Sequence, residues 1–254
     1  MATEATDVLT PVGGTVASGR TLALAVRAVT QAVEPAEAFA TYRGIQLRLT
    51  REALVVAATD GFTAARVRLP WAEPPELPAG EREVGIVLQR KLAQVAADQY
   101  LPQRGPLPVR IEWAQQVARI GDAAVPTYAG SPGAPLENLY RRARASERAV
   151  AAMSVASLRQ RLRGAQPMIR NGLRCVWVVY HDPENVQCWG PEAPAADAIA
   201  ECVQVAYLRR ALQPLGAREL VRVAWSPQLV ALSAPLGDAR DAYYEALIAV
   251  MFVK

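Results

Sequence analysis

The sequence predicts an α+β protein made of two duplicated domains, each with two helices packed on antiparallel sheets. Three observations carry this. Four segments have the three-and-four spacing of apolar residues that marks a helix, each about three turns long. Between them lie short β-branched runs with period-two alternation, the pattern of half-buried strands. Finally, Val109-Arg110-Ile111-Glu112-Trp113, followed by Val117-Ala118-Arg119-Ile120, returns as Val221-Arg222-Val223-Ala224-Trp225 followed by Leu229-Val230-Ala231-Leu232. A similar helix precedes each copy, Leu88-Gln89-Arg90-Lys91-Leu92 and Leu208-Arg209-Arg210-Ala211-Leu212. Helix and hairpin recurring in one order argue for duplication.

The first helix, over 21–33, places Leu22, Val26, Val29 and Val33 on one face, bracketed by Gly19 and Glu34-Pro35. Before it, Gly13-Gly14 lacks the spacing and the lysine of a P-loop and reads as a loop. Strands are expected at 44–50, 53–58 and 66–69, with Pro-rich loops at 70–80 and 100–106. A second helix over 88–97 turns Leu88, Leu92 and Val95 to one apolar face, and strands at 108–113 and 116–120 follow. An irregular stretch, 126–135, and a charged link, 140–148, mark a composition shift and place a domain boundary near 145. The domains are then 1–145, with a short flexible N-terminus, and 146–254. In the second, Ser154 caps a helix over 154–166 that carries Leu158 and Leu162 and stops at Pro167. A strand at 173–180 leads to a helix over 204–215, with Val205, Leu208 and Leu212 inward and Pro214 and Gly216 as stops. Strands at 219–225, 229–233 and 246–253 complete the chain.

At 254 residues, 52% hydrophobic and 20% charged, the chain can bury a sizeable core. Its longest apolar run, 246–253, is far short of the ~20 residues of a membrane helix, so no membrane partner is expected. The first residues carry Glu4 and Asp7 and no basic n-region, unlike a signal peptide. Three cysteines, Cys175, Cys188 and Cys202, are an odd number and suggest reduced thiols in a cytoplasmic protein. Catalysis finds little support. Asp60 in Thr59-Asp60-Gly61 and His181 in His181-Asp182-Pro183 read as turn residues, and Cys175 and Cys188 lie in or beside apolar strands as inert thiols. No carboxylate pair, metal-ligand set or nucleophile with its base stands out, so neither catalytic residue, metal nor cofactor is expected, and the protein reads as a non-enzyme.

The net charge of +4 hides an uneven distribution. The four helices hold Arg27; Arg90 and Lys91; Arg159, Arg161 and Arg163; and Arg209 and Arg210, with none of the chain's 24 Asp and Glu. Exposed helix faces are ordinarily solvated by i,i+4 pairs of opposite charge. Arginines on the solvent side of one short helix are common, but four helices without an acid point to a polyanion whose phosphates are met without base readout.

Particular residues also resemble a known family. Ala57-Ala58-Thr59-Asp60-Gly61-Phe62-Thr63-Ala64-Ala65 is similar to the Ala-Thr-Asp-Gly stretch of the bacterial DNA polymerase III β sliding clamp. Tyr42-Arg43-Gly44-Ile45 upstream, Tyr140-Arg141-Arg142 downstream and the terminal Leu247-Ile248-Ala249-Val250-Met251-Phe252-Val253-Lys254 resemble further clamp segments at matching spacing. The resemblance covers nearly the whole chain, but only the middle and last of the clamp's three domains. It implies two DNA-clamp domains and a replication processivity factor that encircles duplex DNA, with the helix cations Arg27, Arg90, Lys91, Arg159, Arg161, Arg163, Arg209 and Arg210 facing it. It also implies a cleft for polymerase and clamp-loader peptides, matched by Tyr42, Thr59, Gly61, Phe62, Thr63, Ala64, Arg142, Ala143, Ile248, Val250 and Met251. A ring of six domains would need three copies of the chain, a homotrimer, with Met168, Ile169 and an edge strand at 108–113 as candidate contacts. The sequence departs from the family at Phe62-Thr63, Asn138-Leu139 and Val250-Met251-Phe252, which bears on the peptide motif the cleft would prefer. The competing expectation is an adaptor that has lost ring closure and binds clamp-type peptides or regulates replication.

Overall fold

The computed structural model describes residues 10–33, 44–128, 136–217, 219–236 and 239–250. The chain packs as two units: unit 1 is Met1–Thr30, Pro35–Ala58 and Arg66–Ala134, and unit 2 is Gln31–Glu34, Thr59–Ala65 and Pro135–Lys254. No described helix is long and apolar enough to cross a membrane.

The first half of the chain runs β1 (Val12–Val16), α1 (Gly19–Ala32), β2 (Gly44–Thr50), β3 (Ala53–Thr59), β4 (Thr63–Glu73), β5 (Glu83–Gln89), α2 (Arg90–Asp98), β6 (Leu107–Glu112), β7 (Val117–Ile120) and β8 (Ala123–Pro126). Their strand order is β5-β2-β3-β4-β1-β6-β7-β8. A bridge from Leu88 to Thr127, with Tyr128 N donating to the Val87 carbonyl at 2.8 Å, brings the end of this series back to β5. Helix α1 buries Leu22, Val26 and Val29 completely, as its apolar stripe requires.

Several expectations are corrected here. Gly13-Gly14 is not a loop: it lies in β1, paired with Arg110 and Val109 of β6. A Cβ on Gly13 would meet the Val109 carbonyl at 2.7 Å and one on Gly14 the Glu73 carbonyl at 2.7 Å, so both glycines are needed where backbones approach closely. That pairing also makes β6 an interior strand, flanked by β1 and β7, and not the edge expected at 108–113. On α2, Leu92 and Val95 are 44% and 61% exposed, while Ala93, Ala96 and Ala97 face the core. The helix continues to Asp98, so the helical set does contain an acid.

The second half opens with a helix where a charged link was expected, α3 (Leu136–Ala145), which turns Leu136, Tyr140 and Ala143 inward and brings the described helices to five. Then follow β9 (Ala149–Ser154), α4 (Val155–Gly164), β10 (Met168–Arg170), β11 (Leu173–Asp182), β12 (Asn185–Trp189), β13 (Ala200–Gln204), α5 (Val205–Leu212), β14 (Leu220–Ser226), β15 (Leu229–Leu236) and β16 (Ala239–Ala249). From β9 onward the order of strands and helices repeats that of β1 to β8. Ser154 caps α4 as expected, its Oγ accepting from Ser157 N at 3.1 Å. Strands β9, β14, β15 and β16 form one antiparallel series, and β10, β12 and β13 all pair with β11 in a smaller sheet. The repeated Trp strands are β6 and β14, at the same place in each half.

The copies are not identical. In the first, β5 pairs with β2, but in the second β13 pairs with β11, because β10 has only three residues. The counterpart of β4, which has 11 residues, is β12, which has five, and Pro191 and Pro194 lie in the strand-free stretch that follows it.

Candidate functional site

The turn between β3 and β4 is built by side chains of its own sequence. Asp60 Oδ1 accepts from Phe62 N at 2.9 Å and from Thr63 N at 2.6 Å. Thr59 Oγ1 donates to the Thr63 carbonyl at 2.8 Å and accepts from Gly61 N at 3.1 Å. Gly61 takes a φ of 90°, the region that favours glycine. The Thr-Asp-Gly order thus encodes a tight Asx-type turn, and the Asp60 carboxylate is engaged in holding it. The result pushes Phe62 outward, 56% exposed, while Thr59, Thr63 and Ala64 are buried.

Other parts of unit 2 meet this turn. Ala249 N, at the end of β16, donates to the Phe62 carbonyl at 2.8 Å. The Phe62 ring lies on Tyr207 of α5, with centroids 5.8 Å apart and planes inclined by 12°. The Arg210 guanidinium sits 5.8 Å from the centroid of the same Tyr207 ring. Helix α3 is fixed to the sheet by Tyr140, whose hydroxyl donates to the Glu245 carbonyl at 3.3 Å, and by Ser226, which donates to the Ala143 carbonyl at 2.7 Å. Arg144 pairs with Glu245, and Arg142 stands exposed beside it on α3.

The residues matched to the peptide cleft therefore divide. Gly61, Phe62 and Arg142 are exposed and Val250 is half-buried, whereas Ala64, Ala143 and Ile248 are core residues, Ile248 paired with Val230. Tyr42 and Met251 lie outside the described residues. Tyr207 was not among the matched positions. Its one sequence signal is that it falls off the Val205-Leu208-Leu212 stripe, which leaves an aromatic on the side of the helix.

The helix cations divide as well. Arg27 Nε bonds Asp98 Oδ1 at 2.7 Å, and that contact holds the guanidinium pKa above its ordinary value. Arg90 donates to the Thr30 carbonyl. Arg159 donates to the carbonyls of Leu212 at 2.7 Å and Leu215 at 3.0 Å, satisfying orphan acceptors at the end of α5. In unit 2 a groove of about 680 Å³ between α4 and α5 is lined by Arg159, Arg163, Arg209 and Arg210 with Leu162, Leu212 and Gln213, and by no acid among the described residues. Arg163 and Arg209 are exposed on its walls, Arg161 is half-exposed on α4, and Lys91 is exposed on α2 of unit 1.

Of the two candidate contact residues for assembly, Ile169 is 68% exposed, but Met168 is buried in a cluster with Cys175 and Cys202. Met168 therefore acts in the core and not at a rim. All three cysteines are free. Burial pushes the Cys188 thiol up to about 12 and the Cys202 thiol up to about 11, away from a nucleophilic thiolate.

No protein-family model matches the chain, and no curated protein matches it in sequence. Solved structures do. The DNA polymerase sliding clamp of Pseudomonas aeruginosa superimposes with a TM-score of 0.72 at 16% identity, over 99% of this chain and 69% of that one. The fold is that of the bacterial β sliding clamp. The sliding clamp of Bacillus subtilis gives a TM-score of 0.67 at 12% identity, over 100% of this chain and 67% of the clamp. The Helicobacter pylori β clamp bound to a DNA ligase peptide gives 0.65 at 10% identity, over 97% and 67%. The chain thus has the clamp fold across its whole length while spanning about two thirds of these clamps, as the resemblance to two of three clamp domains implies.

Proposed function

We propose that the protein is a sliding-clamp-like replication factor, a binding protein and not a catalyst, that meets duplex DNA through phosphate and holds partner proteins by short peptides. The observation that carries this reading is the acid-free groove between α4 and α5, set within a clamp fold. Four arginines around one groove suit an anion, and contact with phosphate alone leaves a protein able to slide. The peptide site is the surface where the Thr59–Phe62 turn meets the end of β16, with Arg142 and Ala143 of α3, Ile248 and Val250 around it. Its occupants are polymerase and clamp-loader segments. Six domains in a ring make the working form a homotrimer, with Ile169 at a contact between copies.

Light scattering at tens of micromolar, together with retention on nicked circular DNA, tests this. A mass of three chains and loss from the circle on linearisation are expected. A monomer that is not retained on the circle, but binds a clamp-type peptide, establishes the adaptor instead. That second reading draws support from Arg27, Arg90 and Arg159, whose guanidinium groups are engaged within the fold.

A further inference from the structure

We propose that Met168, Cys175 and Cys202 form a binding site for a soft monovalent cation, Cu(I), on the smaller sheet of unit 2. The three sulfurs come from three strands, β10, β11 and β13, and pack as one buried cluster against Leu173 and Trp177. Met168 is the register partner of Cys175. Cys202 pairs with Trp177, two residues along β11 from Cys175 and so on the same face, and a side-chain hydrogen bond links the two thiols. Both are free cysteines. Leu173 and Trp177 are themselves only partly buried, which leaves a small ion a short way in from solvent.

The donor set decides the ion. Among the described residues no group of three His, Cys, Asp or Glu side chains is placed to hold a metal, so the third donor here is a thioether. Thiolate and thioether ligands select Cu(I) over hard cations. Binding breaks two S–H bonds, releases both protons to water, and forms two thiolate–copper bonds and one thioether–copper bond, with copper remaining Cu(I). The complex carries one net negative charge, and two groups beside the sulfurs suit it. Arg170 donates Nε to Met168 Sδ at 3.0 Å, which leaves that sulfur a second lone pair, and its charge acts on both thiols. Trp177 Nε1, opposite Cys202, is a buried donor with no hydrogen-bond partner among the described residues, and a thiolate would accept from it. A purely apolar cluster gains nothing from a cation or an orphaned N–H. The site also answers a need of this sheet. Strand β10 has only three residues and β13 pairs with β11, so a shared ion fastens β10 to β13 where unit 1 has the β2–β5 ladder.

The test adds Cu(I), as its acetonitrile complex and without oxygen, to the reduced full chain in competition with bicinchoninate, a coloured Cu(I) chelator. One equivalent should be withheld from the chelator, and X-ray absorption should show a shell of three sulfurs. The melting temperature should rise, because a ligand of the native state stabilises it. Cys175→Ser and Cys202→Ser should each lose the equivalent, and Met168→Leu, which keeps apolar bulk, should leave a shell of two sulfurs. Arg170→Gln should weaken binding by about tenfold. Cys188→Ser should bind as the wild type does. Melting without metal identifies a variant that has failed to fold, and the remaining variants with the wild-type shell then decide. No uptake by the wild type, nitrogen or oxygen in its shell, uptake that survives both serine substitutions, or uptake lost in Cys188→Ser overturns the site. Displacement of Cu(I) by equimolar Zn(II) overturns the choice of ion. A Cys175–Cys202 disulfide formed in air, without uptake by the reduced chain, overturns the inference in favour of a redox pair.

Discussion

Trp113, just after β6, and Trp225, near the end of β14, hold the same place in the sequence repeat, one in each unit, and their surroundings differ. Trp225 is fully buried, donates Nε1 to the Val178 carbonyl at 2.9 Å and stands edge-on to Tyr180 with centroids 5.6 Å apart. Trp113 is half-buried and opens a 3-10 turn, Trp113–Gln115, after which Gln116 takes a φ of 53°. A similar contrast holds for the cations. In unit 1, Arg27 and Arg90 are tied to Asp98 and Thr30, whereas unit 2 keeps Arg163 and Arg209 exposed around an acid-free groove. Duplication copied the order of elements. The side-chain partners diverged, and with them the work each unit can do.

The strongest way to break this comparison is at the tryptophans. Trp225→Ala should cost about 3–5 kcal/mol, and Trp113→Ala about 1 kcal/mol, in urea unfolding of the full chain. Equal losses would mean that the two strands carry equal structural weight after all. Next come the turns. Asp60→Ala removes bonds to two backbone N–H groups, that of buried Thr63 among them, and should cost about 2 kcal/mol by the same measurement. Asp182→Ala removes one bond, to Glu184 N, in an exposed turn and should cost less than about 0.5 kcal/mol.

Reversing Arg161, Arg163 and Arg209 to Glu should flatten the salt dependence of DNA retention by about 0.9 log unit for each phosphate that is no longer neutralised. Arg27→Gln, in unit 1, should leave that slope as it is; a matching change would put both units on the phosphate. The smallest effect is alkaline. All three cysteines lie in unit 2. Burial raises Cys202 from 9.0 to about 11, so its protonated thiol is favoured in the folded state. That contribution is present in full below pH 9.0 and is lost as the pH rises through about 11. Urea midpoints measured from pH 8 upward should fall, and Cys202→Val should make the decline shallower.

Much of this architecture was legible because it is local. The Ser154 cap, the α1 stripe and the repeated Trp hairpin depend on residues within a few positions of each other. Strand β1 was not legible, because Gly13 and Gly14 carry no side chain to show alternation and are explained only by carbonyls of β4 and β6. The inward face of α2 was misread since alanines, smaller than Leu92 and Val95, fit the space against the sheet. In the candidate site the Thr-Asp-Gly turn could be read directly. The Arg27–Asp98 pair spans 71 positions, and the Phe62–Tyr207 stack is more remote still in sequence, so neither leaves a periodic signal.

The return of β8 to β5 through Leu88 and Thr127 has a consequence in time. Among the described residues, the two end strands of unit 1 are tied to one another at that one point, by the bridge and the bond from Tyr128 N to the Val87 carbonyl. In unit 2 the series ends at β9, which is held on its outer side by a bond from Ala152 N to the Pro183 carbonyl, and β12 pairs with β11 alone. Placed in deuterated water, β9 and β12 should therefore exchange their amides early, one strand at a time, by fraying. In unit 1 the bridge ties the end of β5 to the residue after β8, and the amides beside it should exchange later than those of β9 and β12.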